Sequence, residues 1–523
     1  MQLTRYQTII RKKSFAYVAF IILLILFGIT YYGVIVTQLP YGNHEWAQSD
    51  RLSLAINFYD NGMDFFLPAT HNQTSIQGIV GVEFPIQSYI AGGMGYIFGR
   101  QNICTCFRLL DISIAFAGLI ALFFIGYRYT SDFIASIFTP LFLFCSPLYT
   151  YYSGNFLPDA ASASVMFICL NLLLKYFDRR SLYNLVLLFA CLTLSVLIKS
   201  SSILYEIAAI ITILYMERRP ADARYQRIVR IVVATALSAI LIALNLYHIF
   251  YVNEKYHSWL FLSKINPFQS WEVFNDYLEF GFKSNLITEY FMLVQYGLLI
   301  FLIAFGLSQR SQDKAYQMKK FPILLFIPGA LGMAYLFGGQ LQIHDYYILP
   351  IFFPLIAYLL LLSLMGIYAN SGEGMVRPLR IALFTALLFT YFFADRQMYQ
   401  KHHMLEKYND SDYSSSEWLK GADSVLTRLA IPHEEHIAIC DNVPNVGLVY
   451  CDRRGYNVSP NASLGNIQVI KDLMNEKHLH ILIINSLHLE KMKAMTHQDF
   501  SDFLLLYSAN NLSVLRYLQK QNN

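Results

Sequence analysis

The residues best suited to chemistry fall in five short stretches of the sequence. The densest is His44-Glu45-Trp46-Ala47-Gln48-Ser49-Asp50-Arg51; the others are Glu83 ahead of Phe84-Pro85, Asp159 after Pro158, Lys199 between two apolar runs, and His344-Asp345-Tyr346-Tyr347 ahead of ILPIFFPLIAYLL. A carboxylate held away from bulk water can accept a proton from a weak nucleophile, and Lys, His and Arg cations can hold an anion in a water-poor cleft. Each stretch also has a bland reading. Asp50 and Arg51 would stand near the amino end of an amphipathic helix continued by Leu52, Leu54, Ala55, Ile56 and Phe58, with Asp50 as its cap. Asp159 would open a helix after proline, Lys199 would snorkel to an interface, and His344 to Tyr347 would be an aromatic belt. His44, Glu45, Trp46, Gln48, Asp50 and Arg51 within eight residues are more than a cap requires.

The elements that position these residues follow from composition. The chain of 523 residues is 55% hydrophobic and 14% charged, against about 25% charged for a soluble globular protein. A soluble enzyme is excluded. Forty Phe and 38 Tyr exclude a disordered chain, and 39 basic against 35 acidic residues exclude a nucleic-acid-binding surface. The expected fold class is an α-helical polytopic membrane protein with a small C-terminal α/β extracytoplasmic domain. A helix of about 20 apolar residues crosses a bilayer, and such stretches are predicted at 14–36, 106–127, 131–150, 160–177, 182–198, 200–216, 229–252, 289–307, 321–337, 346–368 and 379–395. The first, flanked by Arg5, Arg11, Lys12 and Lys13, reads as an uncleaved anchor with a cytoplasmic basic flank.

Alternating eleven spans from that start puts five basic connectors inside: those with Arg128; with Lys175, Arg179 and Arg180; with Arg218, Arg219, Arg224 and Arg227; with Arg310, Lys314, Lys319 and Lys320; and with Arg377 and Arg380. The positive-inside rule is met at each. Residues 37–105, 151–159, 253–288, 338–345 and everything after 395 then lie outside. Stretch 84–99, short and interrupted by Pro85 and four glycines, is expected to lie on or dip into the outer face without crossing. The expected domains are therefore 1–395, a transmembrane domain with a functional first outer loop at 37–105, and 396–523, an outer α/β domain. In the latter, strands are predicted at 436–440, 446–451, 481–485, 503–508 and 512–518, and helices at 414–428 and 464–475. Cys440 and Cys451 fall on neighbouring predicted strands in an oxidising compartment, where a disulfide and two buried thiols are equally expected.

This topology gathers Asp50, Glu83, Asp159, Lys199, His344 and Asp345 at outer span ends or in the first outer loop. With them in order, the chain resembles the C-type membrane glycosyltransferases, relatives of the protein O-mannosyltransferases and the lipid A aminoarabinose transferases. Bacterial members carry H-x-W-R-Q-x-D in the first outer loop; here it is His44, Trp46, Gln48 and Asp50, followed by NFYDNGMDFFLP. Glu83-Phe84-Pro85, Pro158-Asp159, the Lys199 hairpin and HDYYILPIFFPL match in order and spacing, over roughly residues 10–365. The family's Arg is Ala47 here.

The resemblance implies a GT-C-like fold and transfer of a sugar from a polyprenyl-phosphate carrier to a glycan, lipid or protein on the outer face of a bacterial inner membrane. It implies Asp50 as general base with Glu83 and Asp159 orienting it or binding sugar hydroxyls. Lys199, His344 and Arg51 would hold the donor phosphate, and His44, Trp46, Gln48, Asp345, Tyr346 and Tyr347 would line the substrate. One-step displacement would invert the anomeric carbon. No cofactor is predicted; some relatives use a divalent metal where carboxylates converge, but a phosphate served by Lys, His and Arg does not require one. The competing readings are a transporter or flippase, and a polymerase, of lipid-linked sugars. A transporter would show internal repeats or mid-span charges, and neither is evident.

Overall fold

The computed structural model describes residues 2–217, 224–261, 265–280, 290–309, 314–402, 416–464, 466–495 and 499–518. A helix stands at each of the eleven predicted spans. Seven helices are long and apolar enough to cross a membrane, and Phe133–Phe144, Leu182–Ile198, Ser200–Met216 and Leu293–Ser308 are shorter apolar helices. The protein is thus a multi-pass helical membrane protein. Arg218, Arg219 and Arg310, and the side chains of Arg5, Arg11 and Lys12, lie outside the described residues.

The chain forms two compact units, and they do not follow the linear boundary expected at 395. One comprises Met1–Val36, Arg108–Tyr247 and Ser263–Gln400; the other comprises Thr37–Phe107, His248–Leu262 and Lys401–Asn523.

In the helical unit the connectors sort into two sets, each bonded within itself. Arg380 pairs with Asp132, Lys319 with Asp178, Arg180 and Arg227 with Glu217, and Arg128 donates to Asn171. Lys319–Asp178 and Arg180–Glu217 join one predicted inner connector to another; Arg227 and Glu217 share a connector, and Asp132 and Asn171 lie in predicted spans. The predicted outer connectors are likewise joined: Lys199 meets Asp159, Tyr152 meets Asp345 and Gly339 N donates to Asn266 O, while at two outer span ends the Tyr32 hydroxyl donates to Thr150 O. Tyr205 mends the ladder near Pro354 in the helix Ile348–Asn370: its hydroxyl donates to Ile351 O and accepts from Leu355 N, the two groups of one missing helical bond.

In the second unit the C-terminal segment folds as a five-stranded sheet. Its strands are β1 (Ile437–Cys440), β2 (Gly455–Val458), β3 (Ile481–Asn485), β4 (Phe503–Ala509) and β5 (Leu512–Tyr517), in the order β2-β1-β3-β5-β4. β1 pairs in parallel with β2 and β3, while β5 runs antiparallel to both β3 and β4. Side chains alternate across it: Ile437 and Ile439 enter one core with Trp418, Leu426, Leu448 and Val514, whereas Ala438 and Cys440 enter the other with Ile470, Met474 and Leu489.

Two strand expectations fail here, and one open alternative is decided. Residues 446–451 form a helix, Val446–Cys451, rather than a strand; a short apolar run reads the same either way, and Asp441 decides it by accepting the Gly447 N–H at the helix start. The second parallel strand is the short, polar Gly455–Val458, which no apolar run announces; a Cβ on Gly455 would lie 1.9 Å from Ile437 O, so only glycine fits this register. Lastly, of the two outcomes left open for Cys440 and Cys451 the structure has the buried thiols: both are free, in different cores on opposite faces of the sheet. The predicted helix 414–428 is a turn of 3-10 helix at Ser416–Leu419 and a helix at Ala422–Arg428, parted at Gly421 with φ 82°, and residues 414 and 415 lie outside the described residues. The helix predicted at 464–475 is likewise two, Pro460–Leu464 and Gln468–Glu476, with residue 465 outside the described ones.

Candidate functional site

The first loop builds its site on the helix Glu45–Asp60. It starts five residues earlier than the apolar pattern from Asp50 suggests, after His44 in the left-handed region at φ 54°. Asp50 is therefore the sixth helical residue and not a cap, since only the first four amides lack intrahelical partners. The helix is buried on several sides rather than amphipathic. Gln48, Ser49, Asp50, Ser53 and Asn57 are all buried together with Leu52, Leu54, Ala55 and Phe58.

That burial comes from the elements packed on it. The helix Ile86–Phe98 approaches closely at glycine: a Cβ on Gly92 would lie 2.6 Å from Ala55 O, and Ser88 donates to Arg51 O. This helix occupies the short 84–99 stretch and is not among those long enough to cross a membrane. The C-terminal segment covers another side. Trp46 packs against its Trp418 core, and Ser416 donates to Glu45.

Asp50 is 5% exposed, and its Oδ1 accepts a 2.8 Å hydrogen bond from Asn445 Nδ2. Burial pushes its carboxyl up to about 6, against the lowering effects of Asn445 and the Arg51 charge. Arg51 itself is paired with Glu83 at 2.8 Å and lies over the Phe261 ring. Glu83 thus acts on Arg51 directly. Gln48 donates to Asn43 O at 2.8 Å, and the His44 and Trp46 rings meet edge to face. Glu45 is pushed up to about 8, chiefly by burial, with Asp441 adding to the rise.

Behind Asp50 runs a buried polar network absent from the sequence reading. Ser53 Oγ accepts from His71 N, lies 2.8 Å from His71 Nδ1 and donates to Asn445 Oδ1. His71 Nε2 lies 3.8 Å from Asp452, which two guanidinium bonds tie to Arg100. Burial alone would raise the Asp452 carboxyl, but the His71 and Arg100 interactions hold it well below the carboxylate range. The one signal available was spacing: Asp50, Ser53 and Asn57 recur at helical intervals among apolar neighbours.

In the helical unit, Asp159 and Lys199 are brought together. Asp159 stands second in the helix Pro158–Arg179 with the proline at its first position, and Lys199 caps the carboxyl end of Leu182–Ile198. Both are buried, with Lys199 Nζ 3.4 Å from Asp159 Oδ1 and 4.1 Å from the centre of the Tyr347 ring. His344 stacks on Tyr346 and Tyr347, and Asp345 accepts from the Tyr152 hydroxyl. The HDYY stretch and the Asp159–Lys199 pair form one aromatic-walled cluster. Arg108, fully buried, stacks 4.4 Å from the Phe156 ring centre and donates to Gly154 O and Asn155, which sets the turn leading into Pro158. It was overlooked although a charge inside a predicted span is itself a signal. Glu206, buried in the first turn of Ile203–Met216 and bonded by Ser238, is a second such charge.

The described residues offer one cluster with metal-ligand spacing, Asp423, His433 and Asp452. Arg453 already occupies it, donating to Asp423 at 2.9 Å and lying 2.7 Å from His433 Nδ1. A cation would have to displace that guanidinium.

No family model matches the sequence, and no curated protein matches it. Solved structures do. ArnT from Cupriavidus metallidurans in the apo state aligns over 95% of this chain and 98% of its own with 12% identity and a TM-score of 0.59. The same protein bound to undecaprenyl phosphate aligns over the same shares at 11% identity and a TM-score of 0.57. The arabinofuranosyltransferase AftD from Mycobacteria aligns over 97% of this chain but 40% of its own, with 12% identity and a TM-score of 0.50. With an identity this low and, for ArnT, an overlap this complete, the chain shares the architecture and not the sequence: it has the GT-C fold of membrane glycosyltransferases.

Proposed function

We propose that the chain is a membrane glycosyltransferase that moves a sugar from a polyprenyl phosphate to an acceptor hydroxyl at the outer face of a bacterial inner membrane. The observation that carries this reading is Asp50: a buried carboxylate raised to about 6, bonded through one oxygen, in the loop whose motif resembles the family's. Such a group is largely ionised at neutral pH yet basic enough to take a proton in the transition state. The solved ArnT complex with undecaprenyl phosphate supports the donor class.

In the reaction, Asp50 accepts the proton of the attacking hydroxyl while the acceptor oxygen bonds to the anomeric carbon and the bond to the phosphate oxygen breaks. The carbon inverts, and the polyprenyl phosphate leaves with its charge. Lys199 and His344 stabilise that charge, Lys199 being poised by Asp159 and Tyr347. Arg51, held by Glu83, opposes the rise that burial imposes on the Asp50 carboxyl and is the secondary phosphate contact. His44, Trp46 and Gln48 shape the surroundings of Asp50, and Asp345, Tyr346 and Tyr347 those of Lys199 and His344.

Mass spectrometry of envelope glycans and glycolipids with and without the gene tests this reading. The expected result is one glycan or lipid lacking a single sugar in the mutant, restored by the gene. Unchanged envelopes together with failure of the purified protein to release undecaprenyl phosphate from any lipid-linked sugar would overturn it. In a working assay, kcat/KM should fall on the acid side of about pH 6, where Asp50 becomes protonated and its basic form is lost.

The same reading places 37–105 and the chain after 395 outside. Reporter fusions after Arg100 and after Asp395 should both read periplasmic. A cytoplasmic reading at either would invert the assignment of the Asp159 and Lys199 cluster.

A further inference from the structure

The group that touches the proposed base comes from the far end of the sequence. Asn445 is fully buried, 395 residues away from Asp50, in the turn before the helix Val446–Cys451. Its amide cannot be turned round. The backbone N–H of Asn72 donates to Asn445 Oδ1 at 3.0 Å, and Ser53 Oγ donates to the same oxygen. Since a backbone N–H is only ever a donor, the oxygen must face Asn72, and the NH2 must face Asp50. The turn is held in its place as well: Asn72 Nδ2 donates to Pro444 O and to Asn457 Oδ1, and Asn457 Nδ2 donates to Val443 O.

We infer that Asn445 is a positioning residue for the proposed base: it fixes the Asp50 carboxylate through Oδ1, favours its ionised form, and leaves Oδ2 to take the acceptor proton. The C-terminal domain thereby completes the site built by the first loop. This inference rests on the reading of Asp50 as base. Among the described residues, no other side chain donates a hydrogen bond to the Asp50 carboxylate. The charged or titratable groups facing it are Arg51 on its own helix, paired with Glu83, and the His71 ring beyond Ser53; Glu45 and Asp441 act on each other. A hydrogen bond to a charged group lowers a carboxyl pKa by about one to two units.

The test is a pH titration of the full-length protein in detergent, labelled with 13C-aspartate and followed by infrared absorption, with Asp50→Asn subtracted so that only the Asp50 carboxyl band remains. Asn445→Ala should move its midpoint up by about one unit, and Asn445→Asp, isosteric but able to share a proton with Asp50, should move it further. Turnover of an undecaprenyl-phosphate-linked sugar should lose most in these variants at low pH, with the acid limb displaced by the same amount. A midpoint unchanged in both variants overturns the inference. A shifted midpoint with full activity in Asp50→Asn instead overturns the reading of Asp50 as base and leaves the Asn445 contact standing as a structural one. Should Asn445→Ala not fold, the isosteric Asn445→Asp carries the measurement alone.

Discussion

Asp50→Asn is expected to abolish transfer, lowering kcat by about 10² to 10⁴, the span typical for removal of a general base. The substitution is gentle on structure. Asn keeps the Oδ1 acceptor for the Asn445 amide at 2.8 Å and removes only the proton-accepting charge. Glu45→Gln is the matched control, and the structure sharpens it. Glu45 is buried, accepts from Ser416 and is pushed up to about 8, so at neutral pH it is mostly protonated and glutamine is its close mimic. Near-normal activity is expected. Full turnover in Asp50→Asn with loss in Glu45→Gln would hand the base role to Glu45.

Lys199→Ala should cut donor use by about 10² to 10³, as loss of one charge-stabilising donor does. The difficulty is that Lys199 also balances Asp159, since both are buried and 3.4 Å apart. Stranding one member of a buried pair costs about 3 to 5 kcal/mol, enough to lower folded yield by itself. The double variant Lys199→Met with Asp159→Asn removes both charges together. It should insert normally and still lose turnover at limiting undecaprenyl-phosphate-linked sugar. Wild-type turnover in the folded double variant would reduce the pair to a structural tie between the helices Pro158–Arg179 and Leu182–Ile198.

These two experiments probe two units that the sequence could not have divided correctly. Helix positions were legible because the bilayer imposes one rule on every span: about 20 apolar residues with internal backbone bonding. All eleven predicted spans coincide with helices, and basic connectors predicted on one side bind each other. Asp159, Lys199, His344 and Asp345 were likewise readable as residues at one set of span ends, while the pairing of Asp159 with Lys199 came from the fold.

What tertiary structure alone decided depends on contacts between residues far apart in the chain. The start of the helix at Glu45, and with it the exclusion of Asp50 as a cap, follows from packing by Ile86–Phe98 and the C-terminal segment rather than from periodicity, because a helix buried on several sides shows no apolar stripe. Cys440 and Cys451 were adjacent in the sequence pattern, yet the two faces of one sheet send them into separate cores. Asn445 is the clearest case. A neutral residue in a short turn carries no compositional signal, and only the fold, by seating that turn against the first loop, makes it the hydrogen-bond partner of Asp50.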